Sequence, residues 1–196
     1  PVRESLLRLV AEGLIINVPK MGFFMQTLSE ADIRDLYEMN HILTAWSINQ
    51  LMGDQVPGLR LGMPEFVALN KKLKLSDSPS DEIIADSCGA IFEFCARRSG
   101  NLEIVGRVKN VNDRLNHIRV CESRMEQTPV IQLIEITRQG IDGNYIDLKK
   151  LFDEQYSRSV MLLPHVMRQR TLPVIAVADE SAVRVVGVVG AGAVAK

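Results

Sequence analysis

The sequence predicts a mainly α-helical protein: a short helix and a two-stranded hairpin come first, and an antiparallel bundle of about six helices follows. Apolar side chains recur at helical spacing through most of residues 30–163. Breaks rich in Gly, Pro or Ser separate these stretches at intervals of one helix length. Over residues 15–25, by contrast, β-branched and aromatic residues flank a Pro-Lys-Met-Gly turn, which indicates a hairpin.

The first predicted element is an amphipathic helix over residues 1–11. A proline at its start costs no hydrogen bond, and Gly13 ends the helix. A strand, a turn that carries Lys20 and Gly22, and a second strand follow over residues 15–25. A short basic helix followed at once by a basic-tipped hairpin is typical of a winged helix-turn-helix, whose helix enters the major groove while the wing contacts phosphates.

Six helices are predicted after the hairpin, packed around one core. Each ends at a helix-breaking stretch, such as Gly53–Pro64 with its three glycines and two prolines. Gly140–Asn144 is predicted to be the turn between the last two helices. The predicted helices cover residues 29 to about 52, 64–75, 81–99, 101 to about 127, 129–139, and 145 to about 163.

The C-terminal residues differ in composition from the bundle. From Leu172 onward the chain is rich in Val, Ala and Gly. β-Branched runs favour strands, so an extra hairpin is one interpretation and an irregular, flexible tail is the other. Residues 167–196 stay unassigned.

The N-terminal residues resemble a known family. Residues 1–9, 12–14 and 19–24 are similar to the recognition helix and wing of GntR-type transcriptional regulators. Residues 28–38 resemble the linker and opening helix of the all-helical FCD effector domain in the FadR-like branch, and Ser99-Gly100-Asn101 closes a helix as in that domain. The resemblance implies a partial winged-helix DNA-binding domain over 1–28 and an effector-binding, dimerising domain over 29–166.

The resemblance also implies which residues contact double-stranded operator DNA. Arg3 matches a recognition-helix arginine that reaches a guanine or a phosphate, and a guanidinium fits the guanine edge in a bidentate way. The helix N-terminus favours a phosphate. An alternative for Arg8 is a solvent-exposed pair with Glu4. The two helices that precede a recognition helix would lie before residue 1, so we expect the full-length protein to contain them. The predicted DNA-contacting residues are Pro1, Val2, Arg3, Arg8, Lys20 and Gly22.

Many FCD domains hold a divalent metal through an Asp, a His four residues later and two further His, and here the resemblance places other residue types at those positions. Counting back from Asn101, Cys88 occupies the Asp position and Phe92 the His position; Gln155 occupies a later His position. The three histidines of the chain are scattered over three predicted helices. We therefore expect no family-type metal and no other cofactor.

The implied effector pocket is less charged than is usual in such domains. Asn40 and Thr44 stand where Arg and Glu are common, and they would line the pocket with the substituted metal positions. This set favours an apolar or neutral effector. A separate candidate site for binding an anion lies on one predicted helix. It consists of three residues at spacings of four and three: Asn110, Arg114 and His117.

Composition limits the other possibilities. The formal net charge of −1 requires any DNA contact to come from a local basic patch. The odd cysteine count and spacing predict buried free thiols at Cys88, Cys95 and Cys121 in a reducing cytoplasm. The longest uncharged apolar run, residues 185–195, is shorter than the roughly 20 residues that a bilayer span needs. No membrane partner and a cytoplasmic location are expected.

The function predicted from the sequence is a homodimeric, DNA-binding transcriptional regulator that responds to a small-molecule effector. One alternative is a degenerate regulator that dimerises but has lost its metal-dependent effector response. A less favoured alternative is a helical-bundle enzyme that uses paired carboxylates for acid–base chemistry. Its candidate groups would be Asp86, Glu93, Glu122 and Glu126.

Overall fold

The computed structural model describes residues 2–53, 63–75, 78–125 and 128–169. It is mainly helical with one small antiparallel sheet, as predicted. One compact unit contains residues 2–29, and a second, larger unit is Glu30–Met167. In chain order the elements are α1 (Val2–Ala11), β1 (Ile15–Val18), β2 (Gly22–Met25), α2 (Glu30–Gly53), α3 (Glu65–Leu75), α4 (Asp81–Arg98), α5 (Leu102–Met125), α6 (Thr128–Asp142) and α7 (Tyr145–Gln169).

The N-terminal unit consists of α1 packed against the β1–β2 hairpin. Gly13 adopts a φ of 72°, and hydrogen bonds from Gly13 N–H to Val10 C=O (3.0 Å) and from Leu14 N–H to Leu9 C=O (3.0 Å) satisfy the last carbonyls of α1. This pattern is a Schellman cap, for which glycine is the favoured residue. It confirms that the helix ends at the predicted glycine.

The hairpin turn places Lys20 at its tip. The Met21 N–H donates to Val18 C=O at 3.0 Å, and Lys20 has a φ of 65°. Proline at the second position and a positive φ at the third define a type II turn, where glycine or asparagine is usual. The turn therefore projects a lysine from a backbone conformation that lysine seldom adopts.

Helix α4 lies at the centre of the larger unit, where it contacts α2, α3, α5 and α6. Half of its 18 residues are buried. Small side chains such as Cys95 and Ala96, both fully buried, let the neighbouring helices approach closely. The core around α4 is completed from the other helices by side chains that include Ile48, Phe66, Leu73, Val108, Leu133, Ile136, Leu148 and Phe152.

Polar side chains cap the ends of bundle helices near the predicted breaks. The Ser80 side chain accepts a hydrogen bond from Ile83 N–H at the start of α4, and Asn101 Oδ1 accepts from the N–H groups of Glu103 and Ile104 at the start of α5. Such side chains replace the missing partners of the first amide groups. Gly100, with a φ of 71°, separates these two helices.

Two predicted boundaries were wrong. Helix α6 continues through Gly140 to Asp142, and the turn is made at Gly143, which has a φ of 67°. Helix α7 does not stop near residue 163 but runs through Pro164 to Gln169. Proline removes one backbone hydrogen bond, but Leu163 and Val166, on either side of it, are completely buried and hold the helix in place.

The predicted break at residues 54–62 and the tail beyond residue 169 lie outside the described part of the chain. Within that part, no helix combines the length and apolarity needed to cross a membrane.

Candidate functional site

The predicted DNA-contacting residues belong to the N-terminal unit. Arg3 and Arg8 are exposed on α1, with Val2 at its start, and Lys20 is exposed at the hairpin turn. Gly22 opens β2 opposite Val18 with a φ of 102°, a conformation that favours glycine. Pro1 lies outside the described residues. The unit thus presents its basic side chains to solvent from a helix and from a turn.

A polar cluster is buried in the helical unit, and Asn112 of α5 is its hub. Asn112 Nδ2 donates to Gly89 C=O of α4 at 2.9 Å, so its Oδ1 is the acceptor. That oxygen receives hydrogen bonds from Asn40 Nδ2 of α2 at 3.1 Å and from Arg119 Nη1 at 3.0 Å. One asparagine therefore joins three helices and orients a buried arginine, whose guanidinium also lies 5.1 Å from the centroid of the Phe92 ring.

A buried carboxyl group stands beside this hub. The Tyr37 hydroxyl donates to Glu122 Oε1 at 2.8 Å, and the Ser159 hydroxyl lies 3.5 Å from Glu122 Oε2. Burial raises the pKa of Glu122 above its ordinary value of 4.5, although the Tyr37 hydrogen bond and the charge of Arg119 oppose the shift. Burial, with the adjacent carboxyl, also raises the pKa of Tyr37 well above its usual 10. Glu122 therefore stays protonated to a higher pH than an exposed glutamate does.

Replacing Glu122 by glutamine is expected to raise stability at neutral and mildly alkaline pH. Between the unfolded-state pKa near 4.5 and the higher folded-state value, the folded chain binds more protons than the unfolded chain. Its free energy of unfolding therefore falls as pH rises through that window. Glu122→Gln should abolish this fall. Urea unfolding at several values from about pH 4 to about pH 8 measures it.

Glu154→Gln is the matched control, because it makes the same substitution at an exposed position of the neighbouring helix α7. A wild-type chain that gains stability relative to Glu122→Gln as the pH rises would contradict the assignment of a raised pKa.

Two clefts open into the helical unit around Arg119, Cys88 and Gln155, which line both of them. The first cleft has a cavity volume of about 20 Å³ and the second of about 10 Å³, so each is a narrow, water-sized space. The first is bounded further by Ile84, Ala85, Glu122, Ser123, Leu133, Arg158 and Leu162. The second is bounded by Tyr37, Asn40, His41, Phe92, Phe152, Tyr156 and Ser159.

The structure brings four of the predicted effector-site residues together at these clefts: Asn40, Cys88, Phe92 and Gln155. Thr44 is fully buried on α2, and its hydroxyl has no hydrogen-bond partner among the described residues, but it lines neither cleft. The predicted anion-binding trio lies elsewhere. These side chains are partly exposed on α5 and also line neither cleft: Asn110, Arg114 and His117.

The sequence interpretation missed the charged residues of the clefts. Arg119 and Arg158 were not identified, and Glu122 was considered only as a possible enzymatic carboxylate. A signal was present in α5, where Arg119 and Glu122 continue the spacing of the buried Leu115 and Ile118. Charged residues on the apolar face of a helix predict a buried polar site.

The remaining candidate carboxylates are engaged on the surface of the bundle. Asp86 accepts a hydrogen bond from Asn116 at 3.3 Å, and Glu93 pairs with Arg97 at 3.2 Å. Glu126 lies outside the described residues. Neither described group lines the clefts.

Metal-ligating side chains do not cluster in the described part of the chain. Across residues 2–53, 63–75, 78–125 and 128–169, no three His, Cys, Asp or Glu side chains come together as ligands would have to. Cys88, Cys95 and Cys121 are buried and form no disulfide, as predicted. Burial raises the pKa of Cys88 and Cys95, which keeps these thiols protonated and unreactive.

Comparison with solved structures shows what the fold is similar to. One similar structure is Lar, which is described as controlling the expression of the Listeria monocytogenes agr system and mediating virulence; it shares 14% identity and a TM-score of 0.63. Another, from Rhodococcus sp. RHA1, is described as a candidate GntR transcriptional regulator, with 16% identity and a TM-score of 0.63. Each match covers 84% of this chain and 79% of the other.

The chain therefore has the fold of GntR-type transcriptional regulators. No family model and no curated protein matches the sequence.

Proposed function

We propose that this chain is part of a DNA-binding transcriptional regulator whose helical unit binds a small-molecule effector. The observation that carries the proposal is the fold, shared over most of the chain with a candidate GntR regulator. The exposed Arg3, Arg8 and Lys20 of the N-terminal unit support a DNA contact. The buried polar clefts of the larger unit support an effector site.

We further propose that the regulator is a homodimer. A twofold-symmetric operator presents two half-sites about one helical turn apart, and reading both requires two recognition helices. Helix α2 also exposes large apolar side chains at spacings of three and four, which suit a protein contact: Met39, Ile42 and Trp46.

Operator binding by the full-length protein is the direct test. Electrophoretic shift or fluorescence anisotropy with DNA from its own promoter region, at about 50 mM salt, should show a complex with two chains. Arg3→Ala is expected to weaken binding about 10- to 100-fold and to relax sequence preference, because a base-edge contact is lost. Lys20→Asn introduces a residue that also tolerates a positive φ. It should weaken binding to all DNA sequences alike and lower the number of ions released on binding by about one, as measured by the salt dependence of the affinity.

Arg107→Ala is the control, since Arg107 is an exposed arginine of α5 outside the N-terminal unit. Equal losses for Arg3→Ala and Arg107→Ala would refute the assignment of Arg3. If the full-length protein caused no shift even at low salt, the regulator proposal itself would fail.

A further inference from the structure

We propose that the exposed side of helix α3 is a docking surface for an acidic segment of a partner protein, one that carries carboxylates and apolar side chains on the same side. The inference concerns the helical unit alone and does not depend on DNA binding. We refer to the residues that form this surface as the α3 face: Val67, Lys71, Lys72, Lys74 and Leu75.

The lysines of the α3 face carry a positive charge that the described part of the chain does not compensate. All three are exposed, and none forms an ion pair with a described carboxylate. The only carboxylate of α3 is that of Glu65, which lies six or more positions before the lysines, beyond the spacing of three or four at which helical side chains pair. An anionic partner therefore gains attraction here without first breaking an ion pair. Cations on other helices do pair with carboxylates: Arg34, Arg97, Arg124, Arg138 and Lys150.

Two large aliphatic side chains lie among the lysines. Val67 is 52% exposed and Leu75 is 74% exposed, and they stand four residues before and four residues after Lys71. Residues at this spacing share one side of a helix, so the three side chains form a stripe about 12 Å long. The negative end of the helix dipole accounts for lysines in the last turn, but it gives an exposed leucine no stabilisation. A partner that covers the stripe removes both aliphatic side chains from water.

The combination of positive charge and apolar surface favours a protein segment over a nucleic acid or a membrane. A phosphate backbone has no apolar groups to cover Val67 and Leu75, and the C-terminal end of a helix repels phosphate. The α3 face contains no aromatic ring on which a base could stack. A helix that lies in a membrane surface needs a broad apolar side, and two aliphatic side chains offer too little area. An acidic amphipathic helix presents carboxylates and apolar side chains at matching spacings of three and four, so its charge complements the α3 face.

Fluorescence anisotropy on this chain, in the absence of DNA, tests the α3 face with a labelled helical peptide of about 12 residues, long enough to cover the stripe. The peptide is built from alternating Glu-Glu and Leu-Ala pairs. Two control peptides replace either every Glu by Gln or every Leu by Ser. At about 100 mM salt the acidic, apolar peptide is expected to bind about 10-fold more tightly than either control. Its advantage over the Gln peptide should shrink at about 1 M salt, where exposed charges are screened.

Variants of the chain locate the binding. Lys71→Glu combined with Lys74→Glu should weaken binding of the acidic peptide about 10-fold or more, because attraction becomes repulsion. Leu75→Ser should weaken it about 3- to 10-fold and leave its salt dependence unchanged, because apolar contact alone is lost. The matched control is Arg107→Glu combined with Lys109→Glu, which reverses two exposed charges on α5. That control should keep the affinity within about twofold of the unaltered chain.

Several results would overturn the proposal: no binding of the acidic peptide at about 1 mM, equal binding of the three peptides, or equal losses for the α3 and α5 charge reversals. Tighter binding of non-operator duplex DNA or of phosphatidylglycerol vesicles through the same lysines would assign the surface to a nucleic acid or a membrane instead. Sedimentation in which Lys71→Glu with Lys74→Glu splits a dimer would assign it to a second copy of the chain. The comparison of the three peptides on the unaltered chain stands even if a variant fails to fold. Peptide binding by a protein that ignores its operator would leave this surface intact and refute the regulator.

Discussion

Gly140→Ala is expected to destabilise the helical unit by about 3 kcal/mol or more, because the added methyl group has no space. A Cβ at residue 140 would lie 2.1 Å from Phe66 Cδ2 and 2.2 Å from Phe66 Cε2. Phe66 is completely buried, so its ring cannot swing into solvent. The Gly140 carbonyl also accepts a 2.7 Å hydrogen bond from Met63 N–H, which holds α6 close to the chain that leads into α3. Urea unfolding measures the loss.

Gly106→Ala is the matched control, since Gly106 also lies inside a helix but a Cβ there would meet nothing within 4 Å. That change is expected to stabilise the protein by about 0.5–1 kcal/mol through helix propensity. In a Phe66→Leu background, most of the loss caused by Gly140→Ala should disappear, because the two sites are coupled through direct contact. Similar effects of alanine at residues 140 and 106 would contradict the close approach of α3 and α6.

Asn112→Ala is expected to cost about 3 kcal/mol, because one substitution leaves three buried polar groups without their partner. Asn40 Nδ2 and Arg119 Nη1 both donate to Asn112 Oδ1, and Gly89 C=O accepts from its Nδ2. Asn40, Asn112 and Arg119 are each no more than 5% exposed, so water replaces these bonds poorly. The loss should appear as a lower midpoint in chemical denaturation.

Asn116→Ala, one turn further along α5, provides the comparison. Its amide makes an exposed contact of 3.3 Å with Asp86, and the expected change is within about 0.5 kcal/mol. A loss for Asn112→Ala no larger than that for Asn116→Ala would show that the hub does not stabilise the fold.

Local sequence signals were enough to predict most element boundaries. Gly13, Ser80, Gly100 and Asn101 act on the backbone within one turn of where they stand, so their effect is readable without the fold. Gly140 misled the prediction for the opposite reason. Glycine is required there because the ring of Phe66, 74 positions earlier in the chain, leaves no space for a side chain. A local sequence pattern cannot predict that contact.

The residues of the candidate site were likewise predicted only in part from the sequence. The resemblance to FCD domains predicted a pocket of Asn40, Thr44, Cys88, Phe92 and Gln155, and the structure places all of these except Thr44 at the clefts. It could not show that Arg119 and Glu122 face inward, since charged residues on a helix are usually solvated. Their role depends on which face of α5 the other helices cover.

The sequence by itself determined the helical class and the N-terminal helix and hairpin, because these follow from residue types and short spacings. Only the tertiary structure decided that Arg119 is buried with one nitrogen that lacks a hydrogen-bond partner among the described residues, and that Gly140 packs directly against the ring of Phe66. Both depend on side chains brought together from distant helices, and the free energy of burying a charge or a methyl group is set by those neighbours.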